Sequence, residues 1–199
     1  MKSIIFGTQM VQAILDGKKT QTRRVITSHT GNCPKMYSIS YIFTEPLGAM
    51  YVGGIIRPRY QVGDVLWVRE TWQHAYDFDG DDQAIEGTGR YLYAATDSSP
   101  FGMWVRDDGS HTETMPWRPS VHMPREAARI FLRVKNVRAE RVEDISRADA
   151  IEEGFENEGD WGAESYFWWA WDELYAKRDY GVDANPWVWV IEFERCEAE

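Results

Sequence analysis

The stretch that decides how we expect this chain to fold is Gly17-Lys18-Lys19-Thr20-Gln21-Thr22-Arg23-Arg24-Val25. It follows a helical pattern over 9–16, for which Thr8 is the predicted N-cap and Gly17 the left-handed end. The apolar residues of that pattern recur at helical spacing: Met10, Val11, Ile14 and Leu15. Because Thr and Val favour extended backbone, the residues after Lys19 are predicted to form a strand.

Side chains alternate between the two faces of a strand, so this segment has two different sides. Thr20, Thr22 and Arg24 are expected to share one face, and Gln21 and Arg23 the other. Two hydroxyls and a guanidinium form a donor-rich patch suited to a carbonyl or phosphate oxygen. The alternative is that the cations only keep an edge strand soluble.

Composition restricts the class of protein. The 199 residues suit one domain with insertions, and 43% hydrophobic with 27% charged residues is ordinary for a globular chain. A net charge of -10 argues against binding of extended duplex DNA, since such binding depends on many cations. The two cysteines form no CxxC motif, and no apolar run reaches the length of a membrane span. We therefore expect a cytoplasmic protein without a membrane segment, a metal or a cofactor.

The remaining patterns predict a mixed α+β fold. Strands are expected at 3–7, 61–72, 91–96, 129–138 and 187–194, with helices at 146–154 and 164–177. Apolar and basic residues alternate through most of 129–138, and Ser146-Arg147-Ala148-Asp149 forms a capping box at the start of the first of these helices. Two excursions, at about 27–60 and 74–117, are read as insertions, the first with a hairpin near 37–41. Since strands and helices do not alternate regularly, a compact mixed β-barrel with peripheral helices fits better than a doubly wound sheet.

Several of these segments together resemble the ASCH domain, a family with a PUA-like β-barrel fold. The resemblance is carried by the Lys19-Thr20-Gln21-Thr22-Arg23-Arg24 run, by Gln61-Val62-Gly63-Asp64-Val65-Leu66-Trp67-Val68, by the helix from Ser146 to Gly154 and by the last strand. Trp117-Arg118-Pro119 and Asn185-Pro186-Trp187, with the residues that follow each, are similar to the ASCH-type proteins of phages and prophages. The two insertions lie outside the minimal domain.

The resemblance implies recognition of a nucleoside or of short single-stranded RNA. One small bacterial member is an N(4)-acetylcytidine amidohydrolase with a Lys, a Thr and a Glu, and these roles carry over to Lys19, Thr22 and Glu153. Glu152 is the next choice for the glutamate, and Thr20 and Arg24 would bind the substrate. For the chemistry to work, Glu153 must orient the substrate or a water instead of locking Lys19 in a tight ion pair.

Two other readings stay open. In a non-catalytic RNA-binding module the same residues would hold a base or a phosphate, with Trp67 as a candidate stacking ring, although core packing is the commoner role of a tryptophan. In the other reading, the chain is a phage-encoded interaction factor that binds a protein through an aromatic surface. Trp168, Trp169 and Trp171 cannot all face one core stripe, so Trp169 is the residue that would mark such a surface.

Overall fold

A computed structural model describes residues 1–27, 49–51, 54–77, 79, 85–99, 101–105, 111–156 and 161–198. The hairpin predicted near 37–41 and most of the first insertion lie outside these residues, as does part of the second.

The described residues form a mixed fold of strands and helices, as predicted. Their strand pairings do not close into a barrel. The strands are β1 (Lys2–Ile5), β2 (Gln21–Val25), β3 (Ala49–Tyr51), β4 (Gly54–Ile56), β5 (Val65–Arg69), β6 (Trp72–Ala75), β7 (Arg90–Tyr93), β8 (Phe101–Val105), β9 (His111–Thr114), β10 (Phe131–Arg141) and β11 (Trp187–Cys196). The helices are α1 (Thr8–Leu15), α2 (Arg147–Glu152) and α3 (Gly162–Tyr175).

The chain divides into two compact units, and the first comprises residues 1–16, 66–131 and 197–199. In it β1 pairs in parallel with β5, in a register that places Lys2 opposite Leu66. The strands β6 and β7 form one antiparallel hairpin, and β8 and β9 another. Helix α1 begins one residue earlier than predicted: Gly7 is its N-cap without a side-chain hydrogen bond, and Thr8 is its first helical residue. Gly17 follows the helix with a φ of 73°, the left-handed conformation expected of it.

The single strand predicted over 61–72 is wrong at both ends: residues 61–64 form a turn, and after β5 the chain forms a separate β6. Between them the backbone N–H of Glu70 donates to Sδ of Met123 instead of to a neighbouring strand. Trp72 then exchanges backbone hydrogen bonds with Arg118. The residues with high strand propensity are continuous in sequence over this segment. The strand ends at Arg69 because Glu70 and Trp72 form hydrogen bonds with these distant residues.

The second unit comprises residues 17–65 and 132–196, and within it the strand order is β10-β11-β2. β2 runs antiparallel to β11, with Thr22 opposite Ile191 and Arg24 opposite Trp189. Ser146 caps α2 as predicted, since its Oγ accepts a hydrogen bond from the backbone N–H of Asp149 at 3.1 Å. The apolar side of α3 packs onto this unit's core, which contains these buried residues: Ala163, Phe167, Trp171, Val188 and Val190.

Candidate functional site

A buried ion pair joins the segment before β2 to the end of α2. The backbone N–H of Thr20 donates to the carbonyl of Glu152 at 2.8 Å, which sets the two segments side by side. Nζ of Lys19 lies 2.5 Å from Oε2 of Glu153 and 2.7 Å from that residue's carbonyl oxygen. Lys19 is 3% exposed and Glu153 4%, so almost no water reaches either charge.

Arg23 shares the same carboxylate. Its Nη1 lies 3.2 Å from Oε1 of Glu153, while its Nη2 forms ion pairs with Glu140 and, at 3.4 Å, with Asp149. The guanidinium also lies over the Phe167 ring, 5.6 Å from its centroid. Glu153 therefore accepts from two cations at once, one on each carboxylate oxygen.

Further polar side chains extend this pair into what we call the β2–α2 charge cluster: Lys19, Gln21, Arg23, Arg138, Glu140, Asp149, Glu152, Glu153 and Glu192. Gln21 donates to Asp149 at 2.8 Å and to Glu152 at 3.1 Å. Arg138 pairs with Asp149 at 3.0 Å, with Glu140 at 3.2 Å and also with Glu192. Three cations thus face five carboxylates, and each of these cations is paired with at least one of them. Such a cluster favours an uncharged ligand with donors and acceptors over a phosphate.

Burial lowers the pKa of Lys19 below its ordinary value, although the charge and the hydrogen bond of Glu153 act in the opposite direction. Arg24 and Arg23 add to the lowering through their positive charges. Removing the ammonium from water disfavours its charged form, and the single carboxylate beside it does not fully offset that cost. Lys19 therefore gives up its proton more readily than an exposed lysine.

The pKa of Asp149 is shifted in the direction typical of a paired carboxylate. Burial alone would raise its pKa, but hydrogen bonds from Gln21 and Ser146, together with the charges of Arg23 and Arg138, lower that pKa below its ordinary value. The folded chain therefore holds the ionised form more strongly than the unfolded chain does. This contribution to stability is present above about pH 4 and is lost as the pH falls through the folded-state pKa.

Asp149→Asn should accordingly lower the free energy of unfolding by about 1–2 kcal/mol at pH 7, because hydrogen bonds to a charged acceptor are lost. The difference from the parent chain should shrink at pH 3, because Asp149 of the unfolded parent chain takes up a proton there. Urea unfolding at the two pH values measures both differences. Asp77→Asn, which removes an exposed carboxylate paired with exposed Arg90, serves as the control and should change little at either pH. A deficit for Asp149→Asn that is equal at pH 7 and pH 3 would contradict this account.

The residues named from the sequence do not all lie together. Lys19 and Glu153 are in contact, and Glu152 lies beside them as an acceptor for Gln21. Thr20 is exposed. Its backbone N–H donates to the carbonyl of Glu152, and its carbonyl accepts from the backbone N–H of Phe193. Trp67 belongs to the first unit, where it is half-buried with the Arg69 guanidinium 5.5 Å from its ring.

Thr22 and Arg24 project from the face of β2 opposite to Arg23, because neighbouring residues of a strand point to opposite sides. Thr22 is buried and Arg24 half-buried. In the part of the chain that the structure describes, no hydrogen bond joins the Thr22 hydroxyl to Lys19 or to Glu153. Thus Arg23, and not Arg24, is the arginine that contacts the glutamate.

Sequence reasoning selected three members of the cluster and missed the other six as site residues: Gln21, Arg23, Arg138, Glu140, Asp149 and Glu192. The alternation of β2 correctly placed Arg23 on the face away from Arg24, but nothing in the sequence indicates which face α2 covers. Asp149 was identified only as part of the helix cap, a role that it fills while also accepting from Gln21.

Comparison with protein-family models, with curated proteins and with solved structures gave no match to this chain. Among the residues described, no group of three or more His, Cys, Asp or Glu side chains is arranged to hold a metal ion. Within the same residues, none of the helices combines the length and the apolar character that crossing a membrane requires.

Proposed function

We propose that the chain is an ASCH-type, PUA-like protein that binds a nucleoside or a short single-stranded RNA at the β2–α2 charge cluster. The proposal rests on one observation: Lys19 and Glu153, which the resemblance to that family selects, lie 134 positions apart in sequence and yet form a buried ion pair of 2.5 Å. A buried charge pair is costly to desolvate and is often replaceable by apolar residues without loss of stability. Its presence here is therefore more readily explained by recognition of a ligand than by stability alone.

The chemistry of the cluster favours a base and its sugar over a phosphate. Cytosine offers a carbonyl, a ring nitrogen and an exocyclic amine, which match the amide of Gln21, the ammonium of Lys19 and the carboxylates of Glu152 and Glu153. A phosphate would meet five carboxylates around three paired cations. In a bound RNA strand, the base would therefore face the cluster, and the sugar-phosphate backbone of the RNA would stay in solvent.

Amidohydrolase activity on N(4)-acylated cytidine is the second candidate, favoured by the lowered pKa of Lys19. In that reaction water cleaves the bond between the acyl carbon and N4, giving a carboxylic acid and cytidine, whose N4 takes up the proton. Lys19 would act as the base once its proton is lost, and Glu153 would orient the amine. The tight pair that Glu153 forms with Lys19 and the orientation of Thr22 both favour binding without turnover.

A pair of double variants tests binding without leaving a buried charge alone. Lys19→Met/Glu153→Leu removes both members of the buried pair, whereas Lys18→Met/Glu156→Leu removes the neighbouring exposed pair, whose side chains are 53% and 51% exposed. Calorimetric titration with cytidine, N(4)-acetylcytidine and a single-stranded hexaribonucleotide should show at least a tenfold weaker dissociation constant for the first variant and less than a twofold change for the second. Equal affinities of the two folded variants would refute the site.

Turnover is tested separately by chromatography of N(4)-acetylcytidine incubated with the protein. A Thr22 nucleophile predicts that Thr22→Val abolishes cytidine release while leaving the dissociation constant within twofold. Thr20→Val, at the exposed threonine two residues earlier, is the matched control. Binding without cytidine release in the parent chain would assign the cluster to recognition alone.

A further inference from the structure

Helix α3 presents an aromatic face to solvent. Trp169 is 69% exposed, Tyr166 42%, and Trp161, at the start of the helix, 76%. Tyr166 precedes Trp169 by three residues, so these two fall on the side of the helix away from buried Phe167 and Trp171. Trp161 stands before the helix and adds a further exposed indole at its N-terminal end. With side chains of this size, the three exposures together leave on the order of 300–500 Å² of residue surface in water.

The charged residues of α3 itself are all acidic. Asp172 and Glu173 follow Trp169 at three and four residues and are exposed, so they flank its ring. Between residues 148 and 176 the sequence contains nine Asp or Glu and no Lys, Arg or His. The cations that flank that range are Arg147, the first residue of α2, and Lys177 and Arg178, past the end of α3.

We infer that this face of α3 is a docking surface for a basic, apolar segment of another protein. Lysine or arginine side chains of such a segment would pair with Asp172 and Glu173 and lie over the indole of Trp169, while its apolar residues cover the rings. RNA and anionic lipid are disfavoured because their phosphates would meet the carboxylates of Asp172 and Glu173. A second copy of this chain is disfavoured because a symmetric contact would set the same acidic residues against one another.

This inference concerns a surface distinct from the β2–α2 charge cluster and does not depend on nucleoside binding. Its test uses a fluorescently labelled 14-residue amphipathic peptide of Leu and Lys and a matched peptide with Glu in place of Lys. Anisotropy titrations should show binding of the Lys peptide that weakens as salt is raised, and no binding of the Glu peptide. Because Trp169 is exposed, Trp169→Ala should fold normally and weaken binding at least tenfold.

Matched variants distinguish peptide binding at the α3 face from general attraction of the peptide to the negatively charged chain. Tyr76→Ala removes an exposed aromatic outside α3, and Glu86→Lys reverses an exposed charge outside it. Tyr76→Ala should change the affinity less than twofold, and Glu173→Lys should weaken it at least fivefold more than Glu86→Lys. Equal effects of the two charge reversals, unchanged binding by Trp169→Ala, or equal binding of the Glu peptide would each overturn the inference. A dimer in sedimentation experiments that Trp169→Ala dissociates would overturn it in favour of a second copy.

Discussion

Glu153→Gln should lower the free energy of unfolding by about 3–5 kcal/mol, the cost of leaving a buried charge without its partner. The change leaves the shape of the side chain almost intact but removes the negative charge that Lys19 and Arg23 share. Arg23 keeps Glu140 and Asp149, whereas Lys19 keeps the Glu153 carbonyl oxygen as a neutral acceptor. Most of the lost free energy of unfolding should therefore come from removing the carboxylate beside Lys19. Urea unfolding at pH 7 measures it.

The adjacent exposed pair supplies the control for this prediction. Glu156→Gln removes the partner of Lys18, and because both side chains are about half exposed, water replaces the lost contact. Its expected cost is about 0–1 kcal/mol. Lys19→Met/Glu153→Leu, which removes both buried charges, should recover most of the stability lost in Glu153→Gln. If the double variant is as unstable as the single one, the loss comes from packing and not from the missing carboxylate beside Lys19.

The second large effect is expected in the first unit, where Arg129 neutralises a buried carboxylate. Nε and Nη2 of Arg129 each lie 2.9 Å from one oxygen of Glu70, whose side chain is 2% exposed. The guanidinium also lies 3.9 Å from the centroid of the Tyr93 ring and donates to Oγ1 of Thr96 at 2.8 Å. Arg129→Met keeps much of the apolar stem but leaves Glu70 charged and unpaired. We expect a loss of about 3–5 kcal/mol in the free energy of unfolding.

This loss should depend on the burial of the carboxylate. Arg90→Met, which breaks the exposed pair with Asp77, should cost about 0–1 kcal/mol. Urea unfolding at pH 7 measures both losses. A loss for Arg129→Met that is as small as that for Arg90→Met would show that water reaches Glu70 in the variant.

Local signals predicted much of the fold. The capping box at Ser146, the left-handed Gly17 and the alternation of β10 were each predicted from residues a few positions apart. The structure contains the first two, and burial in β10 alternates over its first four residues. The predictions of secondary structure failed where contacts with distant residues determine the conformation. The break at Glu70 depends on Met123 and Arg118, and the short strands β3, β8 and β9 lie in segments without clear periodicity.

The candidate site was also predicted only in part. Lys19 and Glu153 were selected from the sequence by resemblance, and their separation there gave no indication that they form a tight, buried pair. The choice of Arg24 over Arg23 followed the family pattern, whereas the side of β2 on which α2 lies places Arg23 against the glutamate. A sequence shows which side chains share a face, but it does not show what covers that face.

By itself, the sequence determined the mixed α+β character of the chain, most of its longer elements and the acidic, aromatic composition of α3, because these depend on propensity, periodicity and charge along a few neighbouring residues. Only the tertiary structure decided that Glu153 neutralises two cations, that α2 lies on the Arg23 side of β2, and that Glu140 and Asp149 share the Arg23 guanidinium. These outcomes depend on contacts between segments more than a hundred positions apart, or on which side of an element the core lies. Burial then changes the energy of each charge, and no local pattern in the sequence records burial.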